Sequence, residues 1–284
     1  MAAPGPRPDD IAYLTGLVRA QDRPRYYATL FAPPGLRDDL FAIYGLAAEI
    51  ERIPDHVTEP ALGEIRLQWW RDALLGPAER GGEGQSPAIR AAAAVIERHR
   101  LPLAPCLHLV DARSADLYSD PPATVSDLEA RLGETQSALF QMAAIMAGSA
   151  GPETADAAGH AGVAYGLSRR LASFADDRTR GRTILPAALL AEGGLSVADA
   201  FSAPPAELNE PLAAMRDLAL RHLRLAVEEA GALPRPFRPI FLPLATVAPV
   251  LARLERNAGG LSDLAILATI AWARVRGLPR CTPQ

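Results

Sequence analysis

The chain contains no lysine: all 29 of its basic residues are arginine, set against 33 acids for a formal charge of −4. That balance is weak and of the wrong sign for general nucleic-acid binding. Cysteine is nearly absent. Cys106 and Cys281 lie far apart, in no zinc-site or redox spacing, so neither a thiolate metal centre nor a disulfide is expected, which fits a reducing compartment. No apolar run reaches the roughly 18–20 residues of a spanning helix, and the opening MAAPGPRPDD lacks the pattern of a secretory signal. The expectation is a cytoplasmic protein without a transmembrane segment. Peripheral membrane contact stays open because PIFLPLATVAPVLARL, residues 239–254, is unusually apolar, although it reads first as a core helix opened by Pro243 or Pro249. Long alternating β-branched runs and internal repeats are also missing, which leaves strands and solenoids without support. His56, His99, His108, His160 and His222 never take the i, i+4 spacing of a zinc helix. His160 alone stands where it could reach a central cavity, and it reads as a hydrogen-bonded core histidine. No nucleophile elbow, phosphate loop or dinucleotide fingerprint occurs.

What is present is helix-forming. The chain has 284 residues and 49% apolar content, rich in alanine and leucine, enough for one large all-α domain. Residues 1–8 read as a flexible lead and 9–284 as the domain. Helices are predicted over 9–20, from about 25, and over 36–53, 63–74, 87–99, 103–118, 125–148, 153–177, up to 191, from 197, and over 206–231, 236–255 and 261–276. A Gly-rich loop fills 76–86. Gly159, Gly162 and Gly166, spaced three and four apart, let a neighbouring helix or a ligand approach the backbone, and helix packing is the favoured reading.

Three segments carry chemistry. Residues 166–186, GLSRRLASFADDRTRGRTILP, hold Asp177 four residues after Ser173; residues 40–55, LFAIYGLAAEIERIPD, hold Glu51 and Asp55, also four apart. Acids at that spacing share one helix face and can present two carboxylates to a cation. Magnesium takes such oxygen ligands together with substrate phosphates. Asp176 sits about 100° around the helix from Asp177 and substitutes only partly. The third segment is GEIRLQWWRDAL, residues 63–74, with Arg66, Trp69, Trp70, Arg71 and Asp72.

Together these segments resemble the squalene and phytoene synthases, over about residues 25–190. In that family the second metal motif reads Q-x-x-N-x-x-x-D-x-x-x-D-x-x-R-G-R-x-Y-L-P. Here Asp177 matches the last acid, while Gly166, Arg169 and Ser173 replace the Gln, Asn and first Asp. The first motif, R-x-x-D-D-x-x-D, keeps Glu51 and Asp55, but Arg52 stands at the middle acid and Ala48 at the arginine. Asp116 matches a further acid, and Arg131 occupies the place of a tyrosine. The resemblance implies an isoprenoid-synthase-type helical bundle around a cavity, with Glu51, Asp55 and Asp177 at the metal positions. It also implies diphosphate contacts from Arg25, Tyr27, Arg180 and Arg182, each open to a plainer structural reading.

Two functions follow from the resemblance. In the first, the eroded motifs make a non-catalytic or weakly active protein, as in the family's branch that includes an assembly factor of respiratory complex I. Its partners would be subunits of a respiratory membrane complex, or a prenyl or other lipid, and it would lie in the cytoplasm or peripheral to the inner membrane. In the alternative, an active Mg²⁺-dependent prenyltransferase joins two prenyl diphosphates head to head. Losing one preorganised charge-stabilising group commonly slows catalysis about 10²–10³-fold, so Ser173, Arg52 and Arg131 favour the first.

Overall fold

A computed structural model describes residues 5–76, 86–118, 120–256 and 258–279. Among these residues it is built of α-helices and tight helical turns, with no strand. Proline opens five of the helices: α1 (Pro8–Gln21), α3 (Pro34–Glu51), α4 (Pro60–Leu75), α5 (Pro87–His99) and α9 (Pro152–Ala172). At the first helical position its missing N–H costs no hydrogen bond and its fixed φ suits the helix. Side-chain caps start others. Asp22 accepts the Arg25 N–H at the head of α2 (Arg23–Thr29), and Thr124 and Asp127 form a capping box on α7 (Val125–Leu132). The remaining elements are α6 (Ala104–Ser114), α8 (Ala138–Met146), α10 (Phe174–Thr179), α11 (Ala187–Glu192), α12 (Asp199–Ser202), α13 (Asn209–Ala232), α14 (Val247–Glu255) and α15 (Asp263–Arg276).

Helix α3 lies at the centre, buried from Leu40 to Leu46 and packed on α1 and α5; α9 packs along α13 and against α8. Small residues set these distances. A Cβ on Gly162 would lie 2.1 Å from the Ser137 backbone N, and one on Gly166 2.6 Å from Leu132 Cδ2, while the Ser137 hydroxyl donates to the Gly159 carbonyl at 2.8 Å. The glycine spacing therefore serves close packing. Phe140 stands between Tyr165 and Phe241, with ring centroids 5.9 and 5.8 Å away, which ties α8 and α9 to the C-terminal segment.

Several predicted helices are divided. The one over 125–148 is split by a π turn, Gly133–Ser137, at the point where Ser137 meets Gly159 and Gly162. The one over 153–177 breaks at Ser173, whose hydroxyl contacts the Arg170 carbonyl and Asp177, a local alternative to the helical pattern. The apolar segment begins as a 3-10 helix, Arg238–Thr246, because Pro239 and Pro243 cannot donate. It is core, buried from Ile240 to Val247. Pro54 ends α3 in a 3-10 turn over Ile53–His56. The predicted Gly-rich loop lies mostly outside the described residues, as does Cys281. Cys106 is buried, and burial pushes its thiol up to about 12. No described helix is long and apolar enough to cross a membrane.

Candidate functional site

A cleft of about 610 Å³ opens where the C-terminal ends of α3, α6 and α9 meet the start of α2 and the C-terminal helices. Helix α3 delivers Glu51, Arg52 and, through the 3-10 turn, Asp55. Helix α9 and its continuation α10 deliver Arg169, Arg170, Ser173, Asp176 and Asp177. Seven arginines and six carboxylates line the cleft, a formal charge of +1. A site meant to gather divalent cations would carry the opposite excess.

Each acid at a metal position is held by arginine. Arg169, at the family's asparagine position, donates to Glu51 at 3.2 Å and lies 3.6 Å from Asp22. Burial works to raise the Glu51 pKa, but the charge of Arg169, helped by Arg113 and Arg170, brings it down to about 2. Burial likewise opposes the charge on Arg169, yet Glu51, Asp22 and Tyr165 hold its pKa above the ordinary value. Asp55 accepts from Arg182 at 2.5 Å and pairs with Arg180 at 3.3 Å. Asp177 accepts the Ser173 hydroxyl at 2.8 Å and lies 3.5 Å from Arg182 and 3.7 Å from Arg170. Arg182 thus spans the two facing motifs. Gly181 makes this possible, since its φ of +71° turns the chain back on itself.

Asp116 accepts from Arg113 at 2.8 Å and lies 3.8 Å from Arg170 and 4.0 Å from Arg131. Arg131, in the place of the family's tyrosine, therefore adds a positive charge beside Asp116 without itself lining the cleft. Burial and the neighbouring Arg113 and Arg170 push its pKa down, while Asp116 opposes them.

The magnesium implied by the family is a poor fit to these donors. Ser173 supplies a neutral oxygen, Arg52 replaces an acid, and guanidinium nitrogens already occupy the carboxylate faces that a divalent ion needs. Among the described residues no group of three or more His, Cys, Asp or Glu side chains is arranged to hold a metal.

Of the residues proposed for diphosphate, the structure brings Arg180 and Arg182 to the cleft. Arg25 is a correction. Its side chain is 3% exposed and packed among the rings of Tyr44, Phe140 and Tyr165, with Nη1 on Gln136 at 2.8 Å and on Asp22 at 3.3 Å. The family-like position thus serves a buried aromatic cage. Tyr27 lies beside the separate small core of Ala28, Leu242, Ile266 and Ile270. In the tryptophan signature Trp70 is buried at 8% and Trp69 exposed at 48%, edge-on to it. Arg66 donates to the His56 carbonyl, Arg71 pairs with Asp111, and Asp72 accepts from Gln68. None of these five lines the cleft. His160 does not reach it either: its Nδ1 lies 2.9 Å from that of His222, whose Nε2 meets Glu129 at 2.8 Å. Sequence reasoning also missed Arg113 and Arg170. The only early signal for them was the density of arginine around Asp116 and Asp177.

The squalene/phytoene synthase family model matches residues 18–268. The NADH dehydrogenase (ubiquinone) complex I assembly factor 6 of Rattus norvegicus is 25% identical over 90% of this chain and 77% of its own length, and that of Homo sapiens is 24% identical over 86% and 73%. The fold is shared with squalene synthase HpnC from Alicyclobacillus acidocaldarius (TM-score 0.70, 20% identity, 88% of this chain and 94% of that one). It is shared as well with a ligand-bound dehydrosqualene synthase (TM-score 0.75, 16% identity, 93% and 95%). By its motifs, its helical fold and the length of the match, this chain belongs to the squalene/phytoene synthase family.

Proposed function

We propose that this protein is a non-catalytic member of the family that assists the assembly of a respiratory membrane complex. The observation that carries the reading is the cross-pairing of the motifs: Glu51 with Arg169, and Asp55 and Asp177 with Arg182. Seating magnesium would mean breaking several partly buried ion pairs, and each broken pair leaves a guanidinium uncompensated at a cost of about 3–5 kcal/mol when fully buried. The similarity to complex I assembly factor 6 over most of both chains supports the assembly role.

The protein works at the membrane surface without crossing it. Helix α15 supports this: Leu264, Trp272 and Val275 are 76, 63 and 81% exposed on its outer side, with Arg274 and Arg276 in the last turn. An aromatic and aliphatic stripe flanked by arginines suits a surface of anionic lipid headgroups.

The test has two arms. Purified protein incubated with farnesyl or geranylgeranyl diphosphate and Mg²⁺ yields no squalene-like or phytoene-like hydrocarbon, and tagged protein enriches respiratory-complex subunits from membranes. Robust hydrocarbon formation overturns the proposal.

A further inference from the structure

Outside the cleft, two imidazoles join α9 to α13. The Nδ1 atoms of His160, on α9, and His222, on α13, lie 2.9 Å apart. The far nitrogen of each ring faces a carboxylate: His222 Nε2 meets Glu129 Oε1, on α7, at 2.8 Å, and His160 Nε2 lies 3.7 Å from Glu229 Oε1, on α13. The row Glu129, His222, His160, Glu229 ties three helices together, and none of its members lines the cleft. The carboxylates decide where the ring hydrogens sit. An ionised carboxylate only accepts, so a neutral His222 carries its hydrogen on Nε2 and presents Nδ1 as an acceptor. The hydrogen between the rings then belongs to His160 Nδ1. On the other side of His160, Glu229 Oε2 is buried without a hydrogen-bond partner among the described residues. A bare ring nitrogen and a carboxylate repel each other, so this end of the row keeps a proton, on His160 or on Glu229. Burial raises the Glu229 pKa, His160 opposes the rise, and Asp156 and Glu228 add to it. The row has no place for one proton more. On His222 Nδ1 it would set two N–H groups against each other at 2.9 Å, and the rings would have to part.

We propose that His160 and His222 form a proton-operated clamp between α9 and α13, closed while one hydrogen bridges the two Nδ1 atoms and opened when His222 takes up a proton of its own. Both side chains are only partly buried, at 32% and 15% exposure, so protons reach them from solvent. The charges acting on His222 come from all three helices: Glu129 on α7, His160 on α9 and Arg221 on α13. Burial lowers the His222 pKa, Glu129 opposes the fall, and His160 and Arg221 add to it. A histidine whose pKa is depressed by folding contributes stability above its ordinary value, 6.5, and loses it as the pH falls below that value towards the folded one. Acidification therefore opens the clamp. Helix α9 carries Arg169, the partner of Glu51, about two and a half turns beyond His160, so the clamp steadies the helix that orders the cleft.

The test is nitrogen-15 NMR of the histidine rings in the full chain, with amide hydrogen exchange beside it. Above the ordinary imidazole value of about 6.5, His222 is expected to carry its hydrogen on Nε2 and His160 on Nδ1. On acidification the two rings protonate in separate steps, His222 second. His160→Ala removes the neighbouring ring and admits water, and it moves the His222 step to higher pH. Exchange of the α9 and α13 amides, corrected for intrinsic rates, rises roughly fivefold once His222 is protonated, the value of one lost hydrogen bond. A double variant, His160→Phe with His222→Leu, replaces both partners by apolar groups and loses that acid-dependent rise. Should the double variant not fold, the tautomers and the order of the two steps in the wild type decide. The opposite tautomer at His222, both rings titrating together near the ordinary value, or exchange that does not respond to acid in the wild type overturns the clamp.

Discussion

Replacing Glu51 by glutamine tests the central ion pair by its pH dependence. In the folded chain the Glu51 carboxyl sits at about 2 instead of 4.5. A group whose pKa is depressed by folding contributes stability above its unfolded value and loses it as the pH falls through the folded one, here between about 4.5 and 2. A difference of about 2.5 pKa units corresponds to about 3 kcal/mol at neutral pH. Of this, more than a third is already lost at pH 3.5 by the same linkage. Urea unfolding of wild type and Glu51→Gln, followed by circular dichroism, is therefore expected to give a gap near 3 kcal/mol at pH 7 and roughly 2 kcal/mol at pH 3.5. Part of the gap at pH 7 comes from Arg169, which keeps only Asp22 at 3.6 Å once Glu51 is neutral. A gap that does not change with pH, or a variant as stable as wild type, would show that Arg169 and Glu51 are not coupled as the geometry requires.

Gly162→Ala places a Cβ 2.1 Å from backbone at Ser137 and is expected to cost about 3 kcal/mol or more. Gly159→Ala, three residues earlier with open space around it, is expected to be neutral or to stabilise by up to about 1 kcal/mol; equal effects in thermal melts would refute the packing assignment. Ser173→Asp restores the missing acid, yet magnesium is expected to leave its Tm unchanged, because Arg169 and Arg182 still hold the other acids. A clear magnesium-dependent rise in Tm would count against the cross-paired cleft. Trp272→Ala combined with Val275→Asp is expected to reduce co-sedimentation with anionic vesicles about tenfold or more, given the apolar area removed; unchanged binding would dismiss α15 as the membrane contact.

The sequence by itself determined the helices, the order of the motifs, and which acids are missing. Helix formation depends on local composition and capping, and the motifs are spacings along single helices, so neither needs long-range information. The positions of Ser173, Arg52 and Arg131 already spoke against magnesium chemistry. What took the place of the metal was decided only by the tertiary structure. Arg169 and Glu51 are 118 residues apart, and Arg182 and Asp55 are 127 apart, so their pairing exists only because α3 and α9 end at the same cleft. The fate of Arg25 was equally hidden, because an arginine beside two tyrosines reads alike whether it faces an anion or an aromatic cage. Helix α15 carries apolar residues on two sides, with Ile266, Ile270 and Ala273 inward and Leu264, Trp272 and Val275 outward. A periodic pattern cannot say which side meets the core, and only the packing of the neighbouring elements leaves one of them bare.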